Sequence, residues 1–232
     1  MGGRPRTRFS GGISPGGGLG VPYTADQAPP DMDAYAAAIG RALQAGCAAR
    51  GLPLPRLVIE PGRSIVARAG VAAYEIIATK PLSPADEASK TKDERLADRS
   101  DPSSYVAVRP SSATRYLHVD GGMADNIRPS LYGARYSAIL ANRAGEPPAE
   151  LVHVAGRFCE SGDVLLRDVV LPRAIPGDLL AIPVAGAYTL SMASNYNLVP
   201  RPALLLVGDG RAREIQRRET YEDLARRDLP LR

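Results

Sequence analysis

A cysteine set among acids and a glycine is the first feature of this chain that could carry chemistry. The stretch CESGD, Cys159 to Asp163, stands between two apolar runs. The sequence holds only one other cysteine, Cys47. Cys159 is therefore either a reactive thiol or a small apolar side chain of the core.

Two glycine-containing segments could hold an anion. GGGLG, Gly16 to Gly20, exposes backbone N–H groups that can approach a phosphate, although a flexible turn is an equal alternative. It does not fit the dinucleotide pattern G-x-G-x-x-G, because the last glycine would fall on Val21. EPGRS, Glu60 to Ser64, places a carboxylate, a glycine turn and an arginine at the end of a predicted strand, where α/β proteins form ligand sites. A tight turn with a solvated charge pair is its alternative.

Two longer polar segments have the composition of binding loops. VDGGMADNIRPSLYGARY, 119–136, gathers acids, arginines and tyrosines around a glycine pair, and GAYTLSMASNYNLVPRP, 186–202, offers tyrosine and asparagine donors. Each is also compatible with a surface turn whose hydrogen bonds are satisfied.

The elements that must position these segments follow from the apolar pattern. Apolar residues at helical spacing after Asp31 predict a helix that Asp31 caps and Gly51 ends, and LVI, 57–59, predicts a short buried strand. From Val71 the apolar runs are short and separated by turn signals, which predicts an antiparallel β domain, sandwich or barrel. The runs are VAAYEIIATK, RYLHVDGG, ELVHVAG, VLLRDVVLP, DLLAIPVAG and ALLLVGDG. We interpret the polar stretch 81–114 as an inserted surface loop, and ETYEDLARRDLP as a short polar helix.

Composition excludes several classes of function. The 232 residues carry 29 Lys and Arg against 25 Asp and Glu, mixed along the chain, which disfavours nucleic-acid binding. No apolar run is long enough for a signal peptide or a membrane span, so no membrane partner is expected. Two cysteines fit a reducing, cytoplasmic compartment. Neither cysteine has a second cysteine or a histidine at zinc-ligand spacing, so no metal is expected.

Taken in order, the blocks GGGLG, EPGRS, DGGMADNIRPSLY, CESGD and GAYTLSMASNYN resemble the diaminopimelate decarboxylases of the fold-type III pyridoxal-phosphate decarboxylase family. The blocks run from Gly16 to Pro202, most of the chain. The resemblance implies a fold of α/β plus β type: a C-terminal remnant of a (β/α)8 barrel over 1–69, then an antiparallel β-sandwich or barrel domain over 70–232. It also implies a homodimer with shared active sites and an amino-acid substrate, meso-2,6-diaminopimelate, decarboxylated to L-lysine.

The resemblance also assigns roles to residues of this chain. Pyridoxal 5'-phosphate would be bound by Gly17, Gly18, Glu60, Pro61, Gly62, Arg63 and Tyr188. The substrate would be bound by Arg63, Arg128, Tyr132, Glu160 and Tyr188, with the arginines on its carboxylates and Glu160 on the distal ammonium. Cys159 would act across the dimer interface as the proton donor.

The chain departs from the family in one chemically important respect. The family's Schiff-base lysine lies near the start of the barrel in a motif of the type Y-A-x-K-A-N, whereas this chain has only Lys80, Lys90 and Lys92, none of them in such a motif. A complete barrel needs about 250 residues, so we expect this chain to be the C-terminal part of the enzyme. Two alternatives stay open: a catalytically inactive remnant or regulatory fragment, or a decarboxylase of another basic amino acid such as ornithine or arginine.

Overall fold

The computed structural model describes residues 11–82 and 115–230. The polar insertion predicted at 81–114 therefore lies outside the described residues, apart from Pro81 and Leu82.

The predicted N-terminal helix is confirmed as α1, Met32–Ala48. The Asp31 carboxylate accepts a hydrogen bond from the Ala34 amide at 2.9 Å, which satisfies one of the free N–H groups of the first turn. After the helix, Gly51 adopts a left-handed backbone with φ 61°, and this reverses the chain toward the EPGRS segment.

The segment before EPGRS is not the buried strand that its apolar residues predict. It pairs in parallel with residues near Ile13: the Ile13 amide donates to the Arg56 carbonyl at 2.8 Å, and the Val58 amide donates to the Ile13 carbonyl at 3.0 Å. Only the single bridge between Ile13 and Leu57 qualifies as strand pairing here. Val58 and Ile59 are 40% and 36% exposed. The prediction of a buried strand is wrong because, among the described residues, this segment is paired by a single bridge on one side and Val58 and Ile59 remain exposed.

A short helical stretch then leads into a six-stranded curled sheet. Helix α2, Gly62–Val66, continues into a 3₁₀ turn, Ala67–Ala69, before the first long strand. The strands are β1 Val71–Pro81, β2 Arg115–Val119, β3 Ile139–Leu140, β4 Glu150–Ala155, β5 Val164–Leu171 and β6 Leu179–Pro183. Their order in the sheet is β3-β6-β1-β2-β4-β5. Helix α3, Arg128–Tyr132, lies in the connection between β2 and β3.

One strand pair departs from the predicted antiparallel arrangement. β2 and β4 run parallel, with Arg115 opposite Val152 and His118 opposite Ala155, whereas the other pairs of the sheet are antiparallel. Parallel neighbours need a long crossover connection, and residues 120–149, which include α3, provide it. The polar block 119–136 is therefore part of a crossover.

The core fills the concave face of this curled sheet with apolar and aromatic side chains. Its members are Tyr23, Tyr74, Ile76, Leu117, Val119, Tyr136, Leu140, Val152, Val154, Leu165, Leu166, Leu171, Ala174, Leu180 and Ile182. Tyr23 belongs to the glycine-rich N-terminal segment, so that segment is packed directly onto the sheet domain.

Two glycines join the α2 region to the sheet. The Ala185 amide donates to the Gly70 carbonyl at 2.9 Å, and the Gly186 amide donates to the Ala67 carbonyl at 3.0 Å. A Cβ on Gly186 would lie 1.9 Å from the carbonyl oxygen of Val66. Only glycine allows the backbones to approach this closely.

The C-terminal part of the described chain is a separate two-stranded hairpin and a short helix. β7, Leu204–Gly208, pairs with β8, Arg211–Gln216, through a two-residue turn in which Asp209 and Gly210 have φ of 50° and 70°. Asp-Gly is the sequence that such a turn prefers. The predicted polar helix is confirmed as α4, Tyr221–Ala225, with a capping box between Thr220 and Asp223. Within the described ranges the longest helix has 17 residues, and none there could cross a membrane.

Candidate functional site

A cavity of about 260 Å³ lies where the glycine-rich segment, the EPGRS turn and the segment after β6 meet. It is lined by Gly17, Gly18, Leu19, Glu60, Pro61, Gly62, Arg63 and Tyr188. The structure thus brings together all seven residues that the sequence assigned to cofactor binding, although more than 120 positions separate Arg63 from Tyr188 along the chain.

Glycine is required where the two loops of the cavity touch. A Cβ on Gly17 would lie 2.3 Å from the carbonyl oxygen of Glu60, a contact that no other residue could make. The Glu60 amide donates to the Gly16 carbonyl at 3.1 Å, and the Tyr35 hydroxyl of α1 donates to the Gly17 carbonyl at 3.0 Å. The glycine-rich loop is therefore held on two sides and forms a fixed wall.

Ser14 holds the carboxylate that the sequence placed at this site. Its hydroxyl donates to Glu60 Oε1 at 2.9 Å, and Ser14 Oγ accepts a hydrogen bond from the Gly16 amide at 3.0 Å. The Gly62 amide donates back to the Glu60 carbonyl at 2.9 Å, so this N–H is used inside the turn. Anion binding by the EPGRS segment would consequently depend on the Arg63 side chain and on the glycine loop opposite.

Tyr188 lies between the two arginines that the sequence singled out. The guanidinium carbons of Arg63 and Arg128 lie 5.5 and 5.6 Å from the centre of its ring, within the range of cation–π attraction. Tyr188 has a left-handed backbone with φ 61°, an uncommon conformation for a bulky residue. The Tyr188 ring therefore lies at the point where both cations meet.

Arg128 is the more tightly held of the two arginines. It is only 7% exposed, it stacks on the Tyr23 ring at 5.2 Å, and its Nη1 donates to the Tyr23 hydroxyl at 2.8 Å. The Tyr23 ring in turn meets Tyr136 edge to face at 5.0 Å. Burial raises the pKa of Tyr136, which stays protonated beside the arginine. Arg128 thus presents a planar cation in one fixed orientation.

The CESGD block forms a tight turn between β4 and β5 that is built around Asp163. The Asp163 carboxylate accepts the Met123 and Phe158 amides, both at 2.7 Å. A Cβ on Gly122 or Gly156 would lie 2.4 or 2.3 Å from its oxygens. Asp163 therefore fixes the turn from beneath, while Cys159 and Glu160 stay exposed above it.

Glu160 is an exposed carboxylate with partners on both oxygens. Oε1 accepts the Ser161 hydroxyl at 3.3 Å and the Gly162 amide at 3.4 Å, and Oε2 accepts the Tyr196 hydroxyl at 3.2 Å. The Gly162 N–H and the Tyr196 O–H lower the pKa of Glu160, so it is ionised at neutral pH.

The remaining predicted residues lie near this turn and outside the cavity. Tyr132 ends α3 and is 63% exposed. Gly162 of the turn packs on α3, because a Cβ there would lie 2.7 Å from Ser130 Oγ. Neither Cys159 nor Glu160 is among the described residues that line the cavity.

Four residues with contacts at the site were not singled out from the sequence: Ser14, Tyr23, Tyr35 and Tyr196. Each forms a side-chain hydrogen bond with a residue at least 18 positions away in the sequence. Ser14 and Tyr23 flank the glycine run, and Tyr196 stands in the SNYN segment. Their nearness to those blocks is the one signal that could have found them.

The segment that carries Tyr196 is anchored by Glu219, which leads to a pH-dependent prediction. The Glu219 carboxylate accepts the Asn195 amide group at 2.6 Å and the Arg201 backbone amide at 2.9 Å, and it pairs with the Arg201 guanidinium. The Arg201 hydrogen bonds are the main reason that the pKa of Glu219 falls from 4.5 to about 2. A pKa below its unfolded value stabilises the anchor above pH 4.5, and this contribution is lost as the pH falls toward 2.

We therefore expect hydrogen-exchange protection of the Ser194 and Leu198 amides to decrease between pH 5 and pH 2, about the range set by that pKa shift. In Glu219→Gln protection should be lower throughout and should lack this acid step. Glu214→Gln, on the exposed β8 strand, is the matched control and should behave as the wild type. An acid step of equal size in Glu219→Gln would rule out Glu219 as the titrating group.

Comparison with known proteins agrees with this geometry. The sequence profile described as "Pyridoxal-dependent decarboxylase, C-terminal sheet domain" matches residues 32–186. Proteins named diaminopimelate decarboxylase are similar to the chain: it is 42% identical over 218 residues to that of Synechocystis sp. and 45% identical over 215 residues to that of Actinosynnema pretiosum. These matches cover 94% and 92% of this chain.

Solved structures show the same likeness. The diaminopimelate decarboxylase of M. jannaschii in co-complex with L-lysine superposes with a TM-score of 0.74 at 33% identity, over 94% of this chain and 43% of that one. The Helicobacter pylori enzyme complexed with L-lysine gives 0.68 at 33% identity, over 92% and 43%.

The chain spans about two fifths of the length of the relatives that it matches: 40% of the Synechocystis protein and 42% of the Actinosynnema protein. The family profile nevertheless covers well over half of this chain, and the cavity lies at the edge of the curled sheet that the profile describes. The chain therefore belongs to the pyridoxal-dependent decarboxylases, as a protein that carries their C-terminal sheet domain.

Proposed function

We propose that this chain forms the C-terminal part of a pyridoxal-phosphate-dependent decarboxylase that converts meso-2,6-diaminopimelate to L-lysine. The observation that carries the proposal is the cavity, where the residues assigned to the cofactor from separate sequence blocks meet. Relatives that bear the name diaminopimelate decarboxylase at 40% identity or more support the substrate. In the proposed division, residues 1–69 complete a (β/α)8 barrel and residues 70–232 are the β domain.

The residues present fit the cofactor. The backbone of the Gly17–Gly18 loop lines the cavity, the space where a Gly18 Cβ would stand is open to a phosphate, and Arg63 adds a cation on the facing loop. The Glu60 carboxylate, oriented by Ser14, is suited to the ring nitrogen, and Tyr188 is suited to contact the ring. Pyridoxal phosphate, when bound, supplies an electron sink for the carbanion left when carbon dioxide departs.

The residues assigned to the substrate have the charges that a diamino dicarboxylate requires. Arg63 and Arg128 are planar cations for its carboxylates, and Arg128 is already fixed between two tyrosine rings. Tyr132, exposed at the end of α3, is a hydrogen-bond donor for the substrate. Glu160, ionised and exposed, is the acceptor for the distal ammonium.

Cys159 is the proposed proton donor to the α-carbon, acting in the site of a second subunit. One observation supports a shared site in a homodimer. Cys159 and Glu160 are exposed, and neither is among the described residues lining the cavity of their own chain. Exposed apolar side chains around α2, including Ile65 at 69% and Val66 at 45%, are suited to contact further barrel elements. A cytoplasmic location, proposed from the two cysteines, accords with a biosynthetic enzyme.

The likeness to decarboxylases of other basic amino acids is weaker. The lysine/ornithine decarboxylase of Vibrio vulnificus has a TM-score of 0.58 at 23% identity, which indicates a shared fold alone. This difference favours diaminopimelate as the substrate.

The test is to join the chain at Gly11 to the N-terminal part of the Bacillus subtilis relative that it does not match, and to measure turnover. We expect release of L-lysine and carbon dioxide from meso-2,6-diaminopimelate that depends on added pyridoxal phosphate. The 232-residue chain alone should show no turnover, because none of its lysines stands in the family's lysine motif. A preference for ornithine would overturn the proposed substrate. A folded but inactive fusion would favour the alternative that the chain is an inactive remnant.

A further inference from the structure

The hydrogen bond between Tyr196 and Glu160 joins two segments that lie 36 positions apart. On the Glu160 side, Oε1 has long contacts within its own turn, at 3.3 Å to Ser161 Oγ and 3.4 Å to the Gly162 amide. The Tyr196 hydroxyl, at 3.2 Å from Oε2, is the contact that comes from a different part of the fold. It restrains the direction in which an otherwise exposed carboxylate points.

Tyr196 can act as a restraint because its own segment also has anchoring contacts outside the CESGD turn. The Ser194 amide donates to the Ala124 carbonyl at 2.9 Å, and Asn195 donates to Val199 and to Glu219. The next two residues, Asn197 and Leu198, both have positive φ, at 54° and 56°, so the backbone turns sharply there. The phenol is therefore presented from a rigid bend.

The ring of Tyr196 also lies close to Phe158, at the start of the CESGD turn. Its centroid lies 6.1 Å from that of Phe158, a buried residue next to Cys159. The Phe158 amide is held by Asp163 at 2.7 Å. One side of the turn is thus fixed by Asp163 from beneath and the other by Tyr196 from the side, with Cys159 between them.

On the basis of the proposed function, we propose that Tyr196 is a positioning residue that aims Glu160 at the distal ammonium of the substrate and so helps to select an amino acid with a charged far end. The phenol donates to one carboxylate oxygen and leaves that oxygen's second lone pair, and the outer side of the group, for an ammonium. A hydrogen bond to a charged group contributes more free energy than one between neutral groups. Loss of the Tyr196 hydroxyl should therefore weaken binding of the amine by a measurable amount.

The test uses the fusion enzyme loaded with pyridoxal phosphate, and its readout is equilibrium binding. L-Lysine is compared with 6-aminohexanoate, which has the same chain length and carboxylate but lacks the α-ammonium; in lysine this group corresponds to the distal ammonium of diaminopimelate. Tyr196→Phe keeps the ring on Phe158 and removes only the hydroxyl. We expect it to raise the Kd for lysine about tenfold, to raise KM for the substrate similarly with kcat changed less than about twofold, and to leave the Kd for 6-aminohexanoate unchanged. Tyr221→Phe, a tyrosine 72% exposed on α4, is the matched control.

A double-mutant cycle separates this inference from the proposed function. In a Glu160→Gln background, Tyr196→Phe should have no further effect on lysine binding, because it acts through the carboxylate. Glu219→Gln, which loosens the anchor of Tyr196 and leaves its hydroxyl in place, is the second variant and should weaken lysine binding about threefold.

Each other outcome has a defined meaning. Equal weakening of lysine and 6-aminohexanoate binding in Tyr196→Phe would show a merely structural role and overturn the inference. Lysine binding that depends on Glu160 but is the same in Tyr196→Phe and the wild type would overturn it while leaving the proposed function intact. Lysine binding that is insensitive to Glu160→Gln would overturn the proposed role of Glu160, and this inference with it.

Discussion

Cys159→Ala in the fusion enzyme is expected to lower kcat by about 10²–10⁴-fold, the usual contribution of a positioned general acid. That range corresponds to about 3–5 kcal/mol in the barrier. After carbon dioxide leaves, the α-carbon must receive a proton on one face, and alanine has none to give. Binding of L-lysine should be nearly unchanged, because the ammonium contact belongs to Glu160 and the turn is held by Asp163.

Two comparisons make this result specific. Cys47→Ala, in the buried last turn of α1, should leave kcat as it is. Glu160→Ala should mainly raise KM, because it removes the proposed acceptor of the distal ammonium without removing the thiol. A kcat for Cys159→Ala within about threefold of the wild type would be too small for a general acid.

The same variant tests whether the site is shared between subunits. Cys159→Ala subunits can be mixed with subunits in which the cofactor-binding lysine of the joined N-terminal part is replaced. Neither homodimer should be active, but each heterodimer has one site with both groups intact, so random mixing should restore about a quarter of the activity. No recovery, with heterodimers shown to form, would mean that Cys159 does not act in a neighbouring subunit.

Gly186→Ala is expected to destabilise the protein by about 2–4 kcal/mol, at the upper end of overpacking effects. The added Cβ would lie 1.9 Å from the Val66 carbonyl oxygen, and that oxygen belongs to backbone that cannot rotate away. Relief of the clash must separate α2 from the segment after β6. Because Arg63 is on α2 and Tyr188 follows Gly186 by two residues, the variant should also weaken pyridoxal phosphate binding.

Urea denaturation of the fusion enzyme measures the first effect and cofactor titration the second. Gly208→Ala is the matched control, since nothing lies within 4 Å of a Cβ at that position, and it should change stability by less than about 1 kcal/mol. If Gly186→Ala were as stable as Gly208→Ala, the close contact between residues 66 and 186 would not exist in solution.

The parts of the fold that the sequence predicted are those determined by local pattern. Asp31 and the helical spacing behind it gave α1, and short apolar runs gave the long strands of the sheet. β8 was missed because Arg211–Gln216 carries alternating charges and is exposed along its whole length, so no apolar signal marks it. The parallel pairing of β2 with β4 was missed because it depends on where a crossover returns, which no local pattern encodes.

In the candidate site too, some residues could be predicted from the sequence and others depend on the fold. The resemblance carried by the five blocks in order named seven of the residues that line the cavity, whereas each block alone was also compatible with an ordinary turn. The residues that hold those groups in place could not be assigned that role from the sequence. Ser14 on Glu60, Tyr23 on Arg128 and Tyr196 on Glu160 are ordinary polar residues until the fold brings them within hydrogen-bond distance.

The pairing of Pro81 with Arg115 at the end of the β1–β2 ladder has a practical consequence. Adjacent strands lie about 5 Å apart, so residues 82–114 leave and rejoin the sheet at neighbouring points whatever their number. The free energy of closing a loop rises only by about 0.6 kcal/mol for each doubling of its length. This junction is therefore a permissive site for engineering, where a reporter domain, an affinity label or new chain termini could be introduced, because the residues that line the cavity belong to segments before β1 and after β6.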